Sequence, residues 1–419
     1  MNEICLLNDS FPPLIDGVSN AVVNYANILR SSGVGACVVT PSNPDAEDDQ
    51  FDFPVIRYPG LDLRKSIGYT AGNPFYPPVL NDLKKRDLSL VHSHCPVMSN
   101  FLARMVSRSM DIPLVLTYHT KFDIDITNVI KSKGLQHSAI KALVDSVGAC
   151  DELWVVSEGT GKSIQSLGYE GDYIVMPNGV DVPRGRSTEE EIASATEGYD
   201  LPREVPMFLF VGRMMWYKGL KIILDAMDAL KNQGFDFRMV FIGSGVDEQE
   251  VRSYSQEHGL GDKVFFTGAI RDRALLRAWY CRADLFLFPS TYDTNGLVAR
   301  EAAACSLASV LVKGSCAAEG VTDGLDGFLI GENAASLAVC LVKLLMNKEA
   351  MHQAGAMASQ NLYISWEDSV HRAMERYQVV LDNYAAGKYE RRRKFSDNFL
   401  NVSAKVLETF DWKEKKRQE

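Results

Sequence analysis

The run Val211-Gly212-Arg213-Met214-Met215-Trp216-Tyr217-Lys218-Gly219 places two cations and two glycines between an apolar segment, MFLF from Met207, and an amphipathic one, LKIILDAMDAL from Leu220. Glycine lets a chain turn sharply and approach a ligand closely. Arg213 offers a planar fork of donors and Lys218 a mobile point charge. At the mouth of a parallel sheet such a pair suits a diphosphate. The blander reading is two surface cations beside an ordinary turn, and the motif alone barely outweighs it.

A second segment, Asp293-Thr294-Asn295-Gly296-Leu297-Val298-Ala299-Arg300-Glu301, follows the apolar run LFLFPS and leads into a helical pattern. The backbone N–H groups of Gly296, Leu297 and Val298 would then open a helix, a natural anion site. Glu301, inside the helix, is a candidate acceptor for ribose hydroxyls, and Asp293, before the turn, for sugar hydroxyls. A capping Asp or Thr with a surface Glu is the common alternative. A third segment, Phe11 to Ser19, carries Gly17 at the start of a helix. It is not a G-x-G-x-x-G fingerprint, but Gly17 could let the backbone approach a phosphate.

His92 and His94 end the run LSLVHSH, and their spacing of two is expected to point them to opposite faces of a strand, which argues against a shared metal. His94 is a candidate to line a cleft; His92 is expected to be a satisfied structural residue. His137, His258, His352 and His371 read as surface or helix residues. No metal site is expected.

Elements that would position these residues are legible as periodicity. Short apolar runs begin at Glu3, Gly35, Leu88, Pro113, Glu152 and Tyr173, then at Met207, Phe237, Lys263, Leu285, Ala308 and Gly327. Helical stretches separate them; between Val18 and Arg30, Val22, Tyr25 and Leu29 share a stripe with Val18. Continuous apolar strands alternating with helices predict parallel sheets covered on both faces. The expected architecture is α/β, with two Rossmann-like doubly wound domains facing a central cleft, ligands binding at the carboxyl ends of the strands. Residues 1–183 form the first domain, 184–206 a polar linker, 207–365 the second domain, 366–384 a helix that could pack back on the first, and 385–419 a basic tail. That tail holds ten Lys/Arg against six Asp/Glu, a net of +4. It reads as a solvated or frayed segment, with weak contact to an anionic membrane as the sharper alternative.

Length and composition agree: 419 residues exceed one ordinary core, and 46% apolar with 23% charged residues is typical of a globular protein. Forty-four basic against 54 acidic residues give a net charge of −10, which argues against a nucleic-acid partner. Eight cysteines without a C-x-x-C pair read as buried apolar groups in a reducing compartment. No leader pattern and no long apolar run is present, so a cytoplasmic protein is expected, with peripheral association at the inner face of the cell membrane as a minority reading. For that reading, Lys121 to Lys141 carries Lys121, Lys131, Lys133 and Lys141 against Asp123 and Asp125, with Val129, Ile130 and Ile140. Against it, residues 1–185 hold fifteen Lys/Arg and twenty-one Asp/Glu, a net of −6.

Taken in order, HTKF at His119, PNGVD at Pro177, G-R-x4-K-G at Gly212, FTG at Phe266 and the acid-x7-Glu turn at Asp293 resemble the large retaining glycosyltransferase family of GT-B fold that includes sucrose synthases and bacterial glycolipid transferases. The resemblance covers the chain from Gly17 to about Trp366. It implies that Arg213 and Lys218 clamp the donor diphosphate and that the Gly17 backbone meets the β-phosphate. It further implies that His119 lies near the transferred sugar, Asp293 touches that sugar, Glu301 holds the ribose, and the backbone of Ala269, Ile270 and Arg271 faces the base. Two positions depart from the pattern: Asp293 replaces the usual Glu, and Asn295 the usual Phe. The expected reaction is retaining, metal-independent transfer of a hexosyl unit from a nucleoside diphosphate sugar, taken as UDP-linked, to an unidentified acceptor, with no cofactor. Two rivals stand beside it: an epimerase or phosphorylase of the same fold, and a non-catalytic sugar-nucleotide-binding subunit.

Overall fold

The computed structural model describes residues 1–14, 16–62, 70–122, 126–127 and 130–389. The basic run from Arg391 to Lys394, and Asp123, Asp125 and Val129 of the lysine-bearing segment, lie outside them. The chain divides into two compact units, one of Met1–Pro177 with the segment from Trp366 on, the other of Asn178–Ser365.

In the first unit the strands are β1 (Glu3–Leu7), β2 (Gly35–Pro41), β3 (Val55–Tyr58), β4 (Gly60–Asp62), β5 (Thr70–Gly72), β6 (Leu88–Ser93), β7 (Leu114–Tyr118), β8 (Glu152–Val155) and β9 (Ile174–Val175). Apart from the β4–β5 antiparallel pair they form one parallel sheet, ordered β3-β2-β1-β6-β7-β8-β9. Alternation along β1 explains its covering on both sides. Ile4 and Leu6 pack with Val22, Tyr25 and Leu29 of the helix Gly17–Ser31, whereas Cys5 and Leu7 pack with Leu102 and Val106 of the helix Met98–Met110. The helix Trp366–Ala385 lies on the first of these faces, burying Val370, Ala373, Tyr377 and Val380. Complete burial of a side chain as large as Val370 stabilises by about 1.5–3 kcal/mol.

In the second unit β10 (Met207–Val211), β11 (Arg238–Ile242), β12 (Val264–Gly268), β13 (Leu285–Phe288), β14 (Ser309–Val312) and β15 (Phe328–Ile330) form a parallel sheet ordered β12-β11-β10-β13-β14-β15. Chain order reverses between β10 and β13. At such a point the loops leaving two neighbouring strands diverge to opposite faces and leave a crevice for a ligand.

The segment 184–206 is not the linker expected from its polarity. Thr188 and Glu191 form a reciprocal capping box that starts the helix Glu189–Ala195. Ile192 enters the core, and the Gly185 N–H donates to the Ala304 carbonyl at 2.9 Å. The chain passes between units at Pro177–Asn178 and Ser365–Trp366. All eight cysteines are free, and five of them are buried. Among the described residues no helix is long and apolar enough to cross a membrane.

Candidate active site

Strand β10 is fully apolar and buried, so its end delivers Gly212 and Arg213 to the surface at the point of reversed strand order. Arg213 is exposed, and its guanidinium has no ion pair among the described residues. One short turn later the 3-10 helix Trp216–Lys218 turns Lys218 inward. Gly219 ends that turn at φ +80°, and a Cβ there would lie 2.3 Å from the Pro289 carbonyl oxygen. Only glycine lets the β10 and β13 loops touch at this place.

Lys218 is 7% exposed. Its Nζ donates to Asp293 Oδ1, while Asp293 Oδ2 accepts from Ser290 Oγ at 2.5 Å. The ammonium also lies 5.7–5.9 Å from the ring centres of Tyr217, Phe288 and Tyr292. Desolvating such a pair offsets much of its Coulomb gain, so its consequence is an ammonium fixed in place more than added stability. The structure therefore gives Asp293 a partner in the protein that its sequence-based role, contact with sugar hydroxyls, did not include.

Behind Arg213 the loops interlock through glycines. Gly243, at φ +138°, lies so close to Gly212 that a Cβ would come within 1.9 Å of its carbonyl oxygen, and Gly245 meets the Met214 carbonyl in the same way at 2.3 Å. The Gly243 N–H donates to the Gly268 carbonyl at 2.8 Å. The β10, β11 and β12 loops are thus one layer, and Ala269, Ile270 and Arg271 follow directly on Gly268 at its β12 end. Ala269 and Arg271 are exposed and Ile270 packs on the core. The G-S-G at Gly243 was the available signal for this layer, a glycine pair directly after an apolar strand.

Gly296 caps the helix Leu297–Ala304 at φ +61°, with Ala317 so close that a Cβ would come within 2.6 Å of its side chain. Leu297 and Val298 open the first turn, where backbone N–H groups have no partner within the helix. Asn295 is 6% exposed, and neither side-chain polar atom has a hydrogen-bond partner among the described residues. Glu301 is buried: Oε2 accepts from Tyr280 Oη at 2.9 Å, and Arg273 stands 3.6 Å from Oε1 while pairing with Asp181 at 3.0 Å. Burial pushes the Glu301 carboxyl above its ordinary range, with the Tyr280 hydroxyl and Arg273 opposing. Sequence reading missed Ser290, Tyr280 and Arg273. Each joins its partner only through the fold, across a turn or between helices.

The first unit carries Gly17 and the histidines. Gly17 opens its helix, exposed, with nothing within 4 Å of an added Cβ. Asp16 caps that helix, accepting from the N–H groups of Val18 at 2.8 Å and Ser19 at 2.7 Å. A ligand anion would therefore meet a carboxylate beside Gly17, and only the remaining backbone donors of the turn.

His92 and His94 do not point to opposite faces. Residues two apart on a strand share a face, because alternation separates i from i+1, and the two rings lie 4.0 Å apart. His92 is fully buried with both nitrogens used, Nδ1 with Tyr377 Oη at 2.5 Å and Nε2 with Thr117 Oγ1 at 2.7 Å. His94 Nδ1 lies 3.0 Å from Nε2 of His119, which follows β7. Burial lowers all three imidazoles, His119 to about 3, so the cluster is neutral near pH 7. Among the described residues no group of three His, Cys, Asp or Glu side chains is placed to hold a metal ion.

The second unit thus brings a fixed ammonium, an exposed guanidinium and a helix N-terminus to the ends of β10 and β13, the strands at the reversal, a set suited to a diphosphate ester. Comparison with known proteins gives the class. Residues 15–184 match the model for Glycosyltransferase Family 4, and residues 194–361 that for Glycosyl transferases group 1. Alpha-monoglucosyldiacylglycerol synthase of Acholeplasma laidlawii is 25% identical over 361 residues, 83% of this chain and 89% of that protein. Phosphatidyl-myo-inositol mannosyltransferase of Mycobacterium leprae is 26% identical over 373 residues, 87% of this chain and 93% of that one. HepE of Anabaena, solved in complex with UDP-glucose, superposes with a TM-score of 0.71 at 17% identity, covering 90% of this chain and 99% of its own. The two matches place both halves of the chain among glycosyltransferases, and its fold is GT-B, with two Rossmann-like domains. It is a glycosyltransferase.

Proposed function

We propose that the protein transfers a hexosyl unit from a UDP-linked sugar to a lipid hydroxyl, retaining the anomeric configuration and using no metal ion on the diphosphate. The observation that carries this reading is the pair of cations at the reversal of strand order, Arg213 exposed and Lys218 held by Asp293. Charge moving onto the leaving diphosphate meets a guanidinium and an ammonium already in position, the role a divalent ion fills in other sites. The first-turn N–H groups of Leu297 and Val298 add fixed dipoles. Glu301 accepts from the ribose with the oxygen that Tyr280 leaves open, and the Ala269–Arg271 backbone meets the base. Gly17 lets the first unit's backbone approach the β-phosphate, and His119 contacts the sugar.

The donor is chosen as UDP-linked because HepE is solved with UDP-glucose, and the acceptor as a lipid because one relative is named for a glucosylated diacylglycerol and the other for phosphatidyl-myo-inositol. One of those relatives is named for glucose and the other for mannose, so the reading is hexosyl and not a single sugar. Support for retention comes from what this site offers an acceptor. Asp293 is engaged by Lys218, and Glu301 by Tyr280, so neither is a poised base opposite the leaving group. The leaving diphosphate oxygen itself takes the acceptor proton, and attack comes on the same face.

The test is incubation with UDP-glucose, UDP-galactose or GDP-mannose and mixed vesicles of diacylglycerol and phosphatidylinositol, read by mass spectrometry, with proton NMR of the first product. An α-linked glycolipid from an α-linked UDP-sugar, with EDTA present, is the expected result. A β-linked product would overturn retention. Consumption of donor without acceptor would favour the epimerase, and tight donor binding without turnover the binding subunit.

A further inference from the structure

Two buried thiols meet in the second unit. Cys281 lies on the helix Arg273–Arg282, and Cys305 ends the helix Leu297–Ala304. The two side chains are hydrogen-bonded to each other. Cys305 Sγ also lies 4.0 Å from the Arg277 carbonyl, one helical turn before Cys281. Cys305 stands four residues after Glu301, so the two share a helix face. That face meets the neighbouring helix twice: Glu301 accepts from Tyr280, and Cys305 meets Cys281 beside it.

The two thiols differ in their surroundings. Cys281 Sγ accepts from the Ser187 N–H at 3.2 Å, and the Arg186 guanidinium donates to the Cys281 carbonyl. The Cys281 thiol falls below its ordinary range chiefly because Cys305 donates to it; the Ser187 N–H and Arg186 add to this, and burial opposes. Cys305 is raised, as the donor of that bond and by burial. Cys281 is thus the better thiolate, and the thiolate is the nucleophilic form. It is 1% exposed, yet it borders a cavity of about 190 Å³ whose wall includes Arg186, Arg203, Arg282 and Ser306. A water takes about 30 Å³ in the liquid, so the cavity admits a molecule the size of hydrogen peroxide.

We propose that Cys281 and Cys305 are a peroxide-sensitive pair, Cys281 the nucleophile and Cys305 the resolving thiol, which closes to a disulfide between the helices that carry Tyr280 and Glu301. The Cys281 thiolate attacks one oxygen of hydrogen peroxide. An S–O bond forms, the O–O bond breaks, and the departing hydroxide takes up a proton as water. Cys305 sulfur then attacks the sulfenic sulfur of Cys281. The S–S bond forms, the S–O bond breaks, and the second water leaves with the Cys305 proton. The two thiols lose two electrons and the peroxide gains them. Closing the bridge draws the sulfurs from contact to a covalent bond and shifts Glu301 against Tyr280. The effect on donor binding rests on the proposed function, in which Glu301 accepts from the ribose; the bridge itself does not.

The experiment treats the reduced full chain with a few equivalents of hydrogen peroxide, blocks remaining thiols, and maps peptides by mass spectrometry without reductant. Peptides holding Cys281 and Cys305 should be joined, and dithiothreitol should separate them. Cys5 and Cys37, register partners in β1 and β2, should stay reduced, because burial and the Cys37 thiol raise Cys5. In Cys305→Ser, dimedone should trap a sulfenic acid at Cys281. UDP affinity of the bridged protein should fall at least roughly threefold and return with dithiothreitol. Oxidation of Cys5 with Cys37, or of the half-buried Cys95, Cys150 and Cys340, before any bridge at Cys281 would overturn the proposal, as would a dimedone adduct on Cys305 in Cys281→Ser. A bridge that leaves UDP affinity unchanged would overturn its link to the ribose site. Failure of the reduced protein to bind UDP would contradict the proposed function instead, while the peptide map still decides the bridge.

Discussion

Lys218 and Asp293, 75 residues apart in the chain, are joined side chain to side chain, Nζ donating to Oδ1, with Ser290 holding the other carboxylate oxygen. The pair ties the loop after β10 to the loop after β13, the two strands that flank the reversal in sheet order. It also sets a negative charge against the cation that a diphosphate would use.

That competition makes a prediction for Asp293→Asn. The amide oxygen still accepts from Lys218, and the amide N–H can donate to Ser290 Oγ in place of the bond it replaces, but the side chain no longer repels a phosphate. UDP should bind as tightly as in the wild type or up to roughly tenfold more tightly, a gain of no more than about 1.4 kcal/mol. Transfer should fall, because the contact with the sugar is weakened. Calorimetry with UDP beside an initial-rate assay reads both, and a parallel loss of UDP affinity and rate would contradict the competition.

Two glycines should respond oppositely to alanine. Gly243→Ala places a methyl within 1.9 Å of a carbonyl oxygen at φ +138°, so the interlocked loops must move apart. A loss of about 1–3 kcal/mol, read as a lower Tm, is expected. Gly17→Ala meets nothing within 4 Å and should leave Tm unchanged while reducing transfer at least roughly tenfold, about 1.4 kcal/mol, if the backbone there approaches a phosphate. Unaltered transfer in Gly17→Ala would remove that residue from the donor site.

The buried histidines make the first unit sensitive to acid. His119 sits at about 3 in the folded chain, against an ordinary value near 6.5 unfolded. The unfolded chain therefore binds the extra proton between those values. The stability this supplies is complete above about pH 6.5 and is lost as pH falls toward 3. From pH 7.5 to 5.0 His119 alone accounts for about 2 kcal/mol. His92 and His94, lowered by the same burial, act in the same direction, while Asp9, whose carboxyl burial raises, opposes them. Urea unfolding at the two pH values should show the loss, and equal stability at both would contradict it.

Local patterns made most of the fold legible. The apolar runs of β1, β10 and β13 needed no knowledge of their neighbours, because strands buried on both faces must be apolar throughout. Strand β3 was not readable, since Val-Ile-Arg-Tyr is short and only its last residue is fully buried. The polarity of 184–206 hid a capped helix whose single buried anchor is Ile192. Arg213, Lys218, Asp293 and Glu301 stood out by type and spacing. Their partners did not: Lys218 to Asp293, Tyr280 to Glu301 and His94 to His119 are joined only by sheet order and helix packing. The face shared by His92 and His94 was within reach of strand periodicity alone.

The central claim, a donor diphosphate held by Arg213 and Lys218, is tested most directly by titrating UDP and UMP into the wild type, Arg213→Ala and Lys218→Ala. The clamp acts on the outer phosphate, so the wild type should prefer UDP over UMP, and each variant should lose most of that preference while binding UMP almost unchanged. A lost charged contact of about 2–4 kcal/mol corresponds to roughly 30- to 1,000-fold. Because Arg213 is exposed and unpaired among the described residues, its variant should also keep the wild-type Tm. An undiminished preference for UDP in both variants would contradict the account.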